Sequence, residues 1–124
     1  MKATAPAPRI LTLTGDIALG HPLTRRVGGE WVGLTPCQWM TAKAHRLAPS
    51  DPTAAARLEA VAVRDRALFA QSLAREPDAL LIDRADGLFW LDWARRDAAI
   101  AQRLAAYDLK ASNARADLYV RRRD

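Results

Sequence analysis

Apolar and polar positions alternate with two different periods along this chain, and the changes of period mark its elements. Residues 10–14 (ILTLT) form a short β-prone run ended by Gly15-Asp16, with leucine on both sides of Thr12. Such a run predicts a strand, and its composition suggests burial on both faces. Residues 15–33 are rich in turn formers, among them Gly20, Pro22, Gly28 and Gly29. They predict a long ordered loop with a short extended piece at 30–32. Pro36 fits the first turn of a helix reaching Leu47, with Thr35 as its N-cap. The Pro49-Ser50-Asp51-Pro52 break then opens a helix capped by Asp51 and running to about Arg75. Leu58, Val61, Ala62, Leu68, Phe69 and Leu73 recur on one side of it at helical spacing. Glu76-Pro77-Asp78 closes that helix, because the residue before a proline avoids the α region.

Residues 79–83 (ALLID) read as a central strand, short, apolar and bounded by turn residues. Residues 88–107 predict one long helix with Trp90, Trp93, Ile100, Leu104 and Tyr107 on its apolar side. Residues 109–112 and 116–122 predict two closing strands around a turn at Asn113-Ala114. Helices lying between strands imply a crossover and a parallel pair, and the closing hairpin adds an antiparallel edge. The expected fold is therefore α/β: a small layered sheet with the strands at 10–14 and 79–83 central, adjacent and parallel. Flanking helices and a C-terminal antiparallel hairpin complete it. Residues 1–8 read as a disordered lead-in and 9–124 as a single domain.

Composition refines this picture. The chain has 124 residues, enough to bury one core. Much of its apolar fraction is alanine, so the bulk of that core is expected from Trp31, Trp39, Trp90 and Trp93. The net charge of +5 admits anionic partners. The arginines are scattered along the helices among Asp and Glu, however, as on solvated faces, and nucleic acid is not an expected partner. No run of about 18 apolar residues predicts a membrane span, and residues 1–8 lack the apolar stretch of a signal peptide.

Candidate chemistry is sparse. Asp16 leaves the first strand at its carboxyl end, where open α/β sheets usually bind ligands, and it is a candidate for a sugar hydroxyl or a metal, or for capping the turn. No dinucleotide or P-loop fingerprint is present, and no cofactor is expected. Cys37 and His45 stand eight apart, and with His21 they lack zinc-ligand spacing, so no metal is expected. Trp31 and Trp39, on a glycine-rich segment, are candidates for stacking on sugar rings or for anchoring the loop. Asp65 and Asp97 fall on apolar helix sides, where a charge needs partners. Both are read as structural acceptors, with Asp97 expected to tie the last helix to the glycine-rich loop.

The segment HPLTRRVGGEWVGLTPCQW carries a further signal. Pro22, Gly28, Trp31, Pro36 and Trp39 keep the spacing of a pattern in the C-terminal soluble region of bacterial integral-membrane glycosyltransferase-like proteins. These are of the dolichyl/polyprenyl-phosphate-mannose mannosyltransferase type. His21 stands where that pattern has Phe, and Leu34 where it has Arg. PDALLIDR resembles the family's next strand through Pro77, Asp78 and Asp83. WARRDAAIAQRLAAY resembles its helix, with Trp93 in place of a Tyr and Asp97 and Tyr107 in register. ADLYVRRR resembles its terminal strand. The resemblance covers most of residues 9–123. It implies a non-catalytic accessory or recognition domain on the periplasmic face of the inner membrane. The implied partners are the transmembrane part of a glycosyltransferase, or a carbohydrate or lipid-linked sugar, with Asp83 joining Asp16, Trp31 and Trp39 as candidate ligand contacts. The alternatives are a free-standing cytoplasmic binding module and, less favoured for want of a nucleophile or metal set, a small enzyme using Asp16, Asp83 or Asp97.

Overall fold

The computed structural model describes residues 7–16, 19, 21–34, 37–84 and 89–123. The elements run β1 (Arg9–Leu13), α1 (His21–Arg26), β2 (Glu30–Trp31), α2 (Trp39–Leu47) and α3 (Pro52–Leu73). They continue with β3 (Ala79–Asp83), α4 (Phe89–Arg95), α5 (Ala98–Leu104), β4 (Tyr107–Ser112) and β5 (Ala116–Arg121). The strands make one mixed sheet in the order β2-β1-β3-β5-β4. β1 lies parallel to both β2 and β3, in register from Ile10 opposite Ala79 to Leu13 opposite Ile82. β5 runs antiparallel between β3 and β4. The expected α/β sheet, with its parallel central pair and C-terminal antiparallel strands, is thus what forms. The lead-in expected at residues 1–8 falls, for residues 1–6, outside the described residues.

Strand alternation sorts the side chains. Leu11, Leu13, Leu80 and Ile82 point to one face, where Ala42 of α2, Phe69 and Leu73 of α3, Trp90 and Trp93 of α4, and Ile100 and Leu104 of α5 cover them. Trp90 and Trp93 meet edge to face at 5.6 Å between ring centroids. Trp90 and Trp93 therefore fill the space that alanine leaves thin, whereas Trp39, also expected in the core, is exposed and Trp31 is only half-buried. The opposite face receives α1, whose buried Thr24 sits beside Gly29 and Ile10.

Five sequence expectations need correction. The loop expected over 15–33 contains α1. That helix ends in a Schellman turn: Gly28 takes φ +75°, its N–H reaches the Arg25 carbonyl, and the Gly29 N–H reaches the Thr24 carbonyl at 2.8 Å. The helix expected from Pro36 begins at Trp39 with Gln38 in the N-cap position, and Thr35 and Pro36 lie outside the described residues. The long helix expected over 88–107 is two helices. Asp97 adopts an extended conformation, and its carboxylate accepts from the N–H groups of Ala99 (2.9 Å) and Ile100 (3.1 Å), so it starts α5 as an N-cap. Among the described residues these, and not groups of the glycine-rich loop, are the partners of its carboxylate. Tyr107 opens β4 instead of closing a helix.

At α3 the expected cap forms as read: Asp51 accepts from the Ala54 N–H at 3.1 Å with Pro52 at the first helical position. That helix stops where Glu76 takes a left-handed φ of 54° ahead of Pro77. The buried Tyr107 hydroxyl then donates to the Pro77 carbonyl at 2.6 Å, locking the entry to β3 against the start of β4. Burial pushes the Tyr107 phenol up to about 12.

Candidate functional site

Parallel strands bring Thr14 and Asp83 together one step beyond the Leu13–Ile82 pair, at the carboxyl ends of β1 and β3. The Thr14 hydroxyl, fully buried, donates to Asp83 Oδ2 at 2.5 Å. Asp83 itself is only 3% exposed. The same hydroxyl accepts from the Asp16 N–H at 2.9 Å, which turns the chain sharply as it leaves the strand.

The third contributor comes from the far end of the sequence. Asn113 shapes the β4–β5 turn by accepting from the N–H groups of Arg115 (2.8 Å) and Ala116 (2.9 Å). Because Ala116 pairs with Asp83, this turn delivers Arg115 to the same edge. Its guanidinium hydrogen-bonds the Asp16 carboxylate, and its Nε lies 4.0 Å from Asp83 Oδ1. The hydrogen bond to Asp16, followed by the charge of Asp83, raises the Arg115 pKa above its ordinary value, so the guanidinium stays charged. Asp16 and Arg115 are about half exposed, with side chains 44% and 52% accessible. The pair thus faces solvent on a buried carboxylate–hydroxyl base.

Two further groups frame this edge. Gln38 braces it, donating its N–H to the Thr14 carbonyl at 2.7 Å and accepting from the Thr14 N–H at 3.0 Å through its side chain. The next residue, Trp39, is 52% exposed, with the Lys43 ammonium 6.0 Å from its ring. Gly15 permits this approach of α2, since a Cβ there would lie 2.5 Å from the Ala42 Cβ. On the other side Arg84, Ser112 and Asp117 close a triangle, with Arg84 3.1 Å and Ser112 2.5 Å from Asp117 Oδ1.

The structure therefore joins two candidates, Asp16 and Asp83, and puts Trp39 beside the glutamine that braces them. Trp31 is not part of this group. The register sets it opposite Ile10, four residues down β1 from Thr14, or about 13 Å at strand spacing. Asp65 accepts from the Thr41 hydroxyl at 2.9 Å and pins α2 to α3. Asp97 caps α5. Thr14, Gln38 and Arg115 were not singled out in the sequence. Gln38 and Arg115 carried no local signal, because both reach the edge only through the strand register and the docking of α2.

Chemically the edge offers a planar carboxylate and a planar guanidinium to solvent, the two groups best suited to chelating neighbouring hydroxyls. Asp83 and the Thr14 hydroxyl are closed to solvent and bonded to each other, so neither is placed as an accessible acid, base or nucleophile. Burial raises the pKa of the half-buried Cys37 thiol, which keeps it protonated, and His45 lies in the last turn of α2 while Cys37 precedes that helix. Among the described residues no three His, Cys, Asp or Glu side chains gather as a metal site, and no helix is long and apolar enough to cross a membrane. Comparison of the chain with protein-family models, with curated proteins and with solved structures found no match.

Proposed function

We propose that this chain is a non-catalytic recognition domain that serves a membrane glycosyltransferase using lipid-linked sugar donors, and that it binds sugar hydroxyls at the carboxyl ends of β1 and β3. The observation that carries the reading is the solvent-facing Asp16–Arg115 pair, held by the buried Thr14–Asp83 bond at the edge where α/β sheets receive ligands. The exposed Trp39 ring on the adjoining turn supports it, since an aromatic face can stack on a pyranose. The resemblance of the Pro22-to-Trp39 segment and of residues 77–83 to the soluble region of mannosyltransferase-like membrane proteins supplies the class of sugar and the periplasmic setting.

The test is a heteronuclear NMR titration of the labelled protein with methyl mannoside and with a short-chain polyprenyl-phosphate mannose. Binding with a Kd of about 1 mM, or about −4 kcal/mol, should shift the amides of residues 14–16, 38–39 and 115. Asp16→Ala and Arg115→Ala should abolish those shifts while preserving the fold. Absence of saturable shifts at this edge with both sugars would refute the reading.

A further inference from the structure

At the opposite end of the sheet lies a recess of about 160 Å³ between the end of α3, the end of α5 and the last strand. At about 30 Å³ per water it has room for about five waters, enough for one tetrahedral anion and part of its shell. It is lined by the apolar or aromatic Leu73, Ala106 and Tyr107 and by the charged Arg103, Arg121, Arg122 and Glu76. Three arginines thus line one small recess beside a single acidic residue.

The three arginines are held differently. Arg122 is fixed in place: Nη1 donates to Asp108 at 2.7 Å, Nη2 to the Ala105 carbonyl at 2.6 Å, and its backbone N–H to Ala106. A guanidinium has five N–H donors, so this tether leaves others for a ligand. Among the described residues the Arg121 side chain makes only long contacts, 3.5 Å to Glu76 and 3.9 Å to Asp78, and Asp78 is shared with Arg123 at 3.5 Å. Among the described residues the Arg103 guanidinium has no hydrogen bond or ion pair. Glu76 reaches the rim from a backbone held at φ 54°, a conformation that non-glycine residues adopt rarely and at functional sites more than elsewhere.

We propose that this recess binds a phosphate group, with Arg103 and Arg121 as its principal donors, Arg122 as a preoriented third and Glu76 as the exchangeable counter-ion that the ligand displaces. Paired N–H donors of arginine match phosphate oxygens bidentately. The exposed Arg121–Glu76 contact is weak enough to be given up, since solvent screens such surface pairs and holding two long side chains together costs entropy. The residues and the ligand differ from those of the carbohydrate edge, so this proposal stands or fails separately from it.

The probe is methyl phosphate, titrated at constant ionic strength against the full chain and followed by NMR. Saturable shifts confined to residues 73–76, 103–107 and 121–122 are expected. Arg103→Ala and Arg121→Ala should each weaken binding at least tenfold at an unchanged urea midpoint. Glu76→Gln should tighten it about threefold, a gain that a merely structural role for these residues does not produce. A second arm uses phosphatidylcholine vesicles carrying phosphatidic acid. Retention through the same arginines identifies a lipid headgroup as the source of the phosphate, and binding of methyl phosphate without retention identifies a soluble ester. Linear, unsaturable shifts, or equal shifts with sodium chloride, would overturn the proposal, as would a Glu76→Gln variant that binds no better.

Discussion

At the carboxyl ends of β1 and β3 a carboxylate that is almost fully buried is satisfied by a buried hydroxyl and approached by an arginine from a distant turn. At the other end, arginines lie at the surface, several anchored to backbone carbonyls: Arg9 to Arg75, Arg75 to Val32, Arg122 to Ala105. The first arrangement neutralises charge inside the fold and makes polar groups part of its architecture. The second leaves positive charge facing solvent, where a partner must balance it. The contrast shows that a charged side chain at a sheet end is not one kind of feature. Whether it holds the fold or waits for a ligand depends on burial and on who supplies the counter-charge.

The difference can be broken by substitution. The largest effect is expected for Asp83→Leu, which strands the Thr14 hydroxyl proton in a dry site. Hydrogen bonds to charged groups contribute about 1.5–3 kcal/mol, and a loss of about 2–3 kcal/mol should appear in the urea midpoint. Asp83→Asn, which retains an acceptor, should lose less. If the leucine variant is as stable as the parent, the carboxyl end is not the structural element described here.

Tyr107→Phe comes next, removing the donor to the Pro77 carbonyl for about 1–2 kcal/mol. It also has a pH signature. The folded protein holds the phenol protonated up to about 12, above the ordinary value of about 10. Its contribution is therefore fully present below about pH 10 and is lost as pH rises towards 12. Stability measured at pH 9 and pH 11 should differ for the parent and differ less for the phenylalanine variant.

The smallest effect sharpens the other side of the comparison. Arg103→Ala, in the last turn of α5 beside the recess, should change stability by no more than about 0.5 kcal/mol, as surface substitutions away from packed features do. A larger loss in calorimetry would mean that the arginine rim is structural after all.

Much of the scaffold was legible in the sequence. Residues 79–83 could be read as a strand because five residues lie between proline and arginine-containing turns with no helical period. α3 could be read because Asp51-Pro52 is a start signal whose chemistry is entirely local. The missed elements show where locality ends. α1 is under two turns long, and Gly28-Gly29, counted as loop residues, are the Schellman stop that defines it. Trp93, Ile100 and Leu104 keep helical spacing across Asp97, so the pattern hides a break that only the backbone at that aspartate reveals. For the carboxyl-end cluster, Asp16 and Asp83 were visible as residues at strand ends. Arg115 was not, because its place depends on the pairing of Ala116 with Asp83. The arginine recess was equally hidden: Arg103 and the Arg121-Arg122 pair, far apart along the chain, come together only when α5 and β5 meet.

An open five-stranded sheet ends in two unpaired rows of N–H and C=O groups, and such rows are templates for fibrillar association. In this chain β2 offers a row of only two residues. At the other margin β4 loses register between Leu109 and Ala111, leaving Lys110 outside the ladder and placing a charge where an incoming strand would have to align. Although Leu109 is exposed there, a neighbouring molecule finds no continuous run to copy. The irregular last strands thus guard the protein against its own concentration, a service distinct from any ligand it holds.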